Sequence, residues 1–509
     1  MTAYENDLAS RKWWALLGIG MGMLMSTLDA SIVNVSLPTL VRALNTDFAT
    51  VQWVVLSYLL VITTLMLSVA RLGDMLGKKK LYNIGLVIFT IGSLLCGLAP
   101  TVGWLIAFRA VQGVGAVMLT ALGTAIITEV FPPEERGRAL GIGGGIVAVG
   151  IALGPTVGGL LIGTIGWRSV FLVNVPIGIL AAFIVHRVIP TLARDEAAKR
   201  FDIVGAAIMF VTVGSYALGM TLGQDMGFST PLVLGLLATA VVGLLLFVLV
   251  ESRVQDPMIE LGLFKNVLFG VNLLMGLLVF VMIGGQFIIP FYLELVKGYP
   301  TEQVGLLMAV FPVSMGLVAP ASGALSDRFG SRVISLIGLV VIVLGCLALS
   351  TLTVETTMLG YILRMAPLGI GVGMFNSPNN SAIMGTAPKH RLGVASGLLS
   401  LSRTLGQTSG IPLAGAVLTT IVVANSALSI SADVTTAPPE ALVAGVTGTF
   451  RLAAFIIAIS TALAAFALWF DRQRQHEAMA QSGRTAASAP QLGPEAPPAQ
   501  PAPHHAQDR

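Results

Sequence analysis

Charge is what this sequence has least of. Asp, Glu, Lys and Arg make up 11% of its 509 residues, against roughly 25% in an average soluble domain. So few charges cannot cover the surface of a water-soluble chain of this length. Cysteine is nearly absent as well: Cys96 and Cys346 are the only two, which excludes a secreted disulfide scaffold. The sequence holds no GxxxxGK[ST] phosphate loop and no HExxH pair, so neither ATP hydrolysis by that loop nor zincin chemistry is expected. His504 and His505 stand alone near the C-terminus. The net charge is only +4 and is scattered, so no nucleic-acid partner is expected. No cofactor is implied, and nothing points to an enzyme.

What the chain has in abundance is apolar residues, 55% of the total. A helix needs about 20 of them in succession to cross ~30 Å of hydrocarbon. Fourteen such runs are present, near 13–37, 50–70, 81–99, 103–129, 139–165, 169–189, 203–222, 231–250, 266–290, 304–325, 333–350, 357–384, 393–422 and 447–470. The first is too long for a cleavable signal peptide and lacks a small-residue cleavage site after it. The expected fold is therefore all-α and polytopic.

Orientation follows from the basic residues. With both termini cytoplasmic, 22 of the 29 Lys and Arg fall on inner segments. Arg42, Arg168 and Lys297 fall on outer loops, and Arg109, Arg364, Arg403 and Arg451 inside spans. That asymmetry satisfies the positive-inside rule; the expected location is a cell inner (plasma) membrane. Residues 425–444 read as the longest outer connector, and Thr485 to Ala502, rich in Ala, Pro and Gln, as a disordered inner tail.

The sequence repeats itself. ARLGDMLGKKKL (70–81) and GALSDRFGSRVI (323–334) align on Asp74 and Asp327, 253 residues apart. GIALGP (150–155) and GQTSGIP (406–412) align at an offset of 256. Two collinear matches indicate a duplicated helical bundle. The offset contains eight spans, so two extra helices lie between the halves. The expected organisation is a six-helix bundle over 1–190, two inserted helices over 191–262, a second six-helix bundle over 263–470 and a tail over 471–509.

Several residues break the apolar pattern in ways that suggest chemistry. Asp29 lies 16 residues into the first run, or ~24 Å along a helix. An ionised carboxylate there needs water or a partner; it reads as a protonatable group in a wet cleft, or else as a solvated residue at the outer mouth. Asn34 follows as a hydrogen-bonding neighbour, and Pro38 is expected to close the span. Arg109 cannot lose its proton. It either meets an acid inside the bundle or snorkels outward; Gln112 and the glycines after it favour the interior. In the fifth span Gly150, Gly154, Pro155, Gly158 and Gly159 allow close helix approach around a bend. At the inner loops Asp74, Gly77, Lys78 and Lys79, and their counterparts Asp327, Arg328, Gly330 and Arg332, form candidate salt-bridge latches, with Asp74 expected to pair with Lys78 or Lys79. Glu129 reads as solvated at the inner end of the fourth span. Asn376, Asn379 and Asn380 share a helix face, either lining a cleft or joining helices. Arg403 lies deep in its span and needs a partner.

Five of these segments resemble one family. LDASIVNVSLP (28–38), ARLGDMLGKKKL (70–81), RAVQGVGA (109–116), GIALGPTVGG (150–159) and WRSVFLVNVPIG (167–178) resemble motifs of the major facilitator superfamily. Together they are similar to its fourteen-helix drug:proton antiporters of the EmrB/QacA type. Ala70 and Met75 depart from the loop motif, and Met75 removes a basic residue from the expected inner charge network. The resemblance implies alternating access by two rocking bundles, with the extra helices peripheral. It also implies proton uptake that drives multidrug efflux of amphipathic, cationic or lipophilic compounds, and hence antibiotic resistance. Asp29 would be the proton or cation site, Arg109 the coupling cation, Gly154, Pro155 and Gly158 the hinge, and Asp74 with Asp327 the inner gate. A proton-coupled transporter of a specific metabolite or lipid, and a non-transporting membrane sensor, are the alternatives. The expected partners are protons, small amphipathic substrates and the lipid bilayer, with the chain acting as a monomer.

Overall fold

A computed structural model describes residues 3–131, 133–188, 203–254, 261–386, 392–426 and 434–487. Every regular element among them is helical, as a lipid environment requires, because each backbone polar group must be satisfied within its own segment. Fourteen helices are long and apolar enough to cross a membrane. We label them α1 (Ala3–Ala43), α2 (Phe48–Leu76), α3 (Lys78–Gly97), α4 (Val102–Val130), α5 (Pro133–Thr164), α6 (Asn174–Val188, preceded by the one-turn helix Ser169–Leu172) and α7 (Ile203–Met226). There follow α8 (Pro231–Glu251), α9 (Val267–Gly284), α10 (Val310–Phe329, preceded by Thr301–Met308), α11 (Ser331–Leu349), α12 (Met358–Thr386), α13 (Leu392–Ala424) and α14 (Pro439–Ala487). Among the described residues, those up to Ala465 form one unit and those from Phe466 to Ala487 a second.

Capping starts two of the helices. Asp47 accepts the Thr50 backbone N–H at 2.7 Å before α2, and Asn266 accepts that of Leu268 at 3.2 Å before α9, each satisfying an otherwise orphaned donor. Helix ends differ from the expected spans in several places. Pro38 does not close α1; the helix runs on to Ala43, because Leu37, Leu40 and Val41 are buried in the core and their packing outweighs the hydrogen bond the ring removes. At α14 the helix begins at Pro439, within the segment expected as a connector; proline suits a first helical position, and Ala441, Leu442 and Val446 behind it are buried. The same helix continues to Ala487, so only 488–509 of the expected tail lie outside the described residues. Beyond Gly284, α9 does not stay regular. It passes through a 3₁₀ turn (Gly285–Ile288), a helical turn carrying Pro290 and a π-helical turn (Tyr292–Val296).

The internal repeat is visible in the packing. Gly92 of α3 lies against the Gln112 backbone of α4, and Gly345 of α11 against the Leu368 backbone of α12. Gly85 meets Gly115, and Gly338 meets Gly371. The α3 and α11 members are 253 residues apart, and the α4 and α12 members 256. Likewise Gly150 of α5 sits on the Leu24 carbonyl of α1, and Gly406 of α13 on the Leu277 carbonyl of α9. Glycine at these positions lets two backbones approach within reach of each other's polar atoms. The halves meet where α5 packs on Thr301–Met308 and α13 packs on α2. Of the two extra helices, α7 touches both α2 and α13, while α8 packs chiefly on α7 and turns Leu232, Leu234, Val241 and Leu245 outward, the surface a bilayer would cover.

The α2–α3 and α10–α11 turns each hinge on one glycine. Gly77 has φ +97° and Gly330 φ +89°, a region that L side chains avoid. Gly77→Ala and Gly330→Ala are each expected to destabilise the protein by about 1–3 kcal/mol, read as a lower thermal unfolding midpoint in detergent. Gly145→Ala on α5, where an added methyl meets nothing within 4 Å, should leave that midpoint unchanged or raised.

Candidate functional site

On α1, residues Thr27, Ala30, Ser31 and Asn34 recur at helical spacing and face a central cavity. Asp29 lies on the other side of the same helix. Its side chain is fully buried, so it is neither in a wet cleft nor solvated at a mouth. Polar side chains from the first half enclose it. Arg109 Nη1 donates to Asp29 Oδ2 at 2.5 Å, and Gln112 Nε2 donates to Oδ1 at 2.9 Å. Asn174 Nδ2 donates to the same oxygen at 2.9 Å. Arg109 Nε donates to the Val54 carbonyl at 2.9 Å, and its Nη1 also to Gln112 Oε1 at 2.7 Å. The guanidinium carbon lies 4.0 Å from the Tyr58 ring centroid, and Gln112 Nε2 reaches Ser93 Oγ at 2.8 Å.

Helices α1, α2, α3, α4 and α6 thus converge on a single ion pair. Sequence reasoning placed Asp29, Arg109 and Gln112 here. It missed Asn174, whose signal was one amide within an apolar run, and it expected Asn34 beside Asp29, whereas Asn34 faces the cavity. Two polar atoms of the cluster have no hydrogen-bond partner, Arg109 Nη2 and Asn174 Oδ1. A buried pair of this kind is sensitive to loss of one member, because the survivor is left as an uncompensated charge.

The central cavity encloses about 430 Å³ between α1 and α5 on one side and α9, α10, α12 and α13 on the other. Phe280, Phe287, Phe311, Met308 and Met315 supply apolar walls. Gln286, Asn376, Arg403 and Gln407 supply polar groups from the second half. The three asparagines of α12 separate by role: Asn376 lines the cavity, Asn379 is buried and donates to the Asn272 carbonyl of α9 at 3.3 Å, and Asn380 Oδ1 accepts from Arg403 Nη2 at 2.8 Å. Among the described residues no carboxylate lines the cavity, so of the expected cationic or lipophilic compounds a cationic one finds no acid there to receive it. A larger cavity of about 790 Å³ between α7, α8, α9 and α13 has almost wholly apolar walls and offers little to fix a ligand's orientation.

The α5 glycines seat that helix on α1. Gly150 lies against Leu24 and Thr27, Gly154 against Ser31, and Gly158 against Ile32, while Ser31 Oγ donates to the Gly150 carbonyl at 3.3 Å. Pro155 lies within α5, where its missing N–H leaves the Ile151 carbonyl without a helical donor. Gly159 faces the other half: a methyl there would stand 2.6 Å from the Thr301 carbonyl. The halves are tied again at this end by Arg42 of α1 and Glu294 of the π-helical turn, 2.5 Å apart. Glu294 is almost entirely buried although Arg42 is half exposed. A π-helical turn often marks a functional position; here it turns Glu294 toward α1. Sequence reasoning did not select Glu294.

At the opposite end the latch residues are only partly joined. The side chains of Asp74 and Asp327 lie outside the described residues. Lys78 pairs with Glu129 at the end of α4, so Glu129 is ion-paired rather than simply solvated, and Lys78 has an acid besides the expected Asp74. Arg328 is exposed and packs over Phe329 at 5.7 Å, while Arg332 is half-buried. Arg364 donates to Thr351 Oγ1 and the Gly360 carbonyl, and takes no part in either site.

A family model described as Major Facilitator Superfamily matches residues 19–411. The chain belongs to the major facilitator superfamily. It is 36% identical over 401 residues to the riboflavin transporter RibZ of Clostridioides difficile, covering 79% of this chain and 87% of that protein. It is 35% identical to the multidrug resistance protein Stp of Mycobacterium tuberculosis, covering 79% and 75%. It is 32% identical to the tetracenomycin C resistance and export protein of Streptomyces glaucescens, covering 81% and 77%. In fold it is similar to a crystallised bacterial homologue of the human lysosomal transporter Spinster, with TM-score 0.64 and 18% identity over 90% of this chain and 97% of that one. The protein is thus a membrane transporter of this superfamily.

The Arg42–Glu294 pair is expected to hold its end of the bundle shut. Spin labels at Asn45 and Gln303, both exposed, should report a longer and broader distance distribution in Glu294→Gln than in the parent protein. An unchanged distribution would show that the pair does not restrain the two halves.

Proposed function

We propose that this transporter is a proton-driven multidrug efflux antiporter of the fourteen-helix EmrB/QacA type. It would export amphipathic compounds by alternating access across a cell inner membrane, as a monomer with both termini cytoplasmic. The observation that carries the reading is the sealed Asp29–Arg109 pair on the reverse face of the helix whose front lines the cavity. The multidrug and antibiotic-export names among the relatives are consistent with it.

The geometry suggests how the two faces of α1 communicate. With Asp29 ionised, its two oxygens bind α1 to α4 through Arg109 and Gln112 and to α6 through Asn174. A proton on Asp29 removes the charge that balances Arg109 and turns one acceptor oxygen into a donor, so this seat of α1 is weakened. Because α5 rests on α1 through Gly150, Gly154 and Gly158, a shift of α1 is carried to α5 and on to its contact with the second half at Gly159. Here Asp29 is closed both to the cavity and to bulk water. The proton must enter in the alternative conformation, which is how a sealed acid can prevent uncoupled leak. The bundles then are residues 1–190 and 263–470, joined by the inserted helices of 191–262, with 471–509 as a tail, and Gly154, Pro155 and Gly158 serve as the hinge. Asp74 and Asp327 would close the inner end in the opposite state.

Asp29→Asn should abolish efflux driven by a pH gradient, measured as dye extrusion with and without an uncoupler. It leaves Arg109 buried without a countercharge, so it should also cost about 3–5 kcal/mol of stability. Asp29→Asn combined with Arg109→Gln removes both charges. That double variant should regain most of the thermal stability yet remain uncoupled. Normal proton-dependent efflux in a folded Asp29→Asn protein would remove Asp29 from the mechanism.

A further inference from the structure

The charge of the central cavity is one-sided. Among the described residues that line it, Arg403 is the single ionised side chain. Its guanidinium carbon lies 5.3 Å from the Phe280 ring centroid, and its one described hydrogen bond goes to the neutral Asn380 amide. No described carboxylate forms an ion pair with it. A guanidinium has five N–H donors and keeps its proton, and within a membrane such a charge calls for a countercharge or water. Asp29 cannot serve, because it faces away from the cavity and its own charge is already met by Arg109. Asn34 Oδ1, which has no hydrogen-bond partner, belongs to a residue lining the same space.

We infer that the central cavity takes amphipathic molecules that carry a negative charge, with Arg403 as the residue that binds it. The inference rests on the export reading above and assigns its substrate class. A ligand that fits is one with a flat apolar body for Phe280, Phe287 and Phe311 and a carboxylate, phenolate or similar anionic edge for Arg403. Guanidinium groups bind such edges in paired hydrogen bonds. Asn380 acts as a positioning residue that turns the guanidinium. The duplication sharpens the point: the first-half equivalent of Arg403 is Val147, which lines the same cavity, so the charge belongs to one wall only.

The substrate's charge also sets the driving force. One proton entering in exchange for a monocation moves no net charge across the membrane. One proton entering in exchange for a monoanion leaving moves two charges, so the membrane potential alone can drive the cycle.

The test uses the full chain reconstituted in vesicles of phosphatidylethanolamine and phosphatidylglycerol, with fluorescein as the anionic probe and rhodamine 6G as a cationic one of similar shape. Fluorescein should be transported, and an imposed potassium diffusion potential at equal pH should drive it. Rhodamine 6G should move at least about tenfold more slowly. Arg403→Gln should reduce fluorescein transport roughly tenfold or more, the scale of one charge-assisted contact, and Arg403→Lys should retain more of it than Arg403→Gln. The comparison of the two dyes needs no variant, so a poorly folding mutant does not decide the result. Proton-coupled movement of rhodamine 6G without fluorescein would overturn the charge assignment and leave the antiport reading intact. Potential-driven fluorescein movement that ignores a pH gradient would sustain the charge assignment and overturn proton coupling. Movement of neither dye would count against both.

Discussion

A charge pair that no water reaches governs the first half of this protein. Asp29 and Arg109 are each fully buried, and either alone would be an uncompensated charge in a low-dielectric interior. The structure resolves this by hydrogen-bonding them to the Gln112 and Asn174 side chains and the Val54 carbonyl and by setting the guanidinium over the Tyr58 ring. Those groups come from helices that are distant in sequence, so the pair fixes how α1, α2, α4 and α6 sit together. Its contribution to stability is small beside that of the apolar core. Its importance is that one proton changes its balance, whereas no proton changes the balance of leucine packing.

The location of the pair explains why the helix around it is useful for transport. Residues 27, 31 and 34 face the cavity, and 29 faces the cluster. A single helix therefore lines the cavity on one side and carries the buried acid on the other. The α5 glycines allow that helix to be felt at short range. Backbone against backbone transmits a small shift without the slack that long side chains would introduce. On the proposed reading, no continuous chain of polar residues between the cavity and Asp29 is needed.

Much of this was legible in the sequence. All fourteen helices were, because ~20 apolar residues bounded by charges admit few other readings in a membrane. Asp29, Arg109 and Gln112 were legible as well, since polar residues inside apolar runs stand out. Which way each one points was less so. Asn34 and Asp29 are only five residues apart, yet they face different compartments of the molecule, and only the packing of neighbours decides which face of α1 is covered. Glu294 was passed over because a charge near the end of an apolar run reads as loop. Its burial comes from the π-helical turn, an irregularity that hydrophobic periodicity does not signal. Helix ends also escaped where tertiary contacts overrode a proline, as at Pro38.

The duplication shows where scaffold ends and chemistry begins. The glycines that let helices touch recur in both halves, at 85 and 338, 92 and 345, 150 and 406. The charged cluster does not recur. At the positions matching Asp29, Arg109 and Gln112 the second half has Met282, Met365 and Leu368, all buried. The fixed cation of the cavity wall, Arg403, is matched by Val147 in the first half. Two copies of one bundle have thus kept the same close-packed frame and divided the charges between them. A titratable acid lies behind the first half's helices, and a permanent cation lies on the second half's cavity wall. Such a division suits exchange. On the proposed reading, sites for proton and cargo that do not overlap need not compete for one carboxylate, and they would be coupled through the movement of the frame they share.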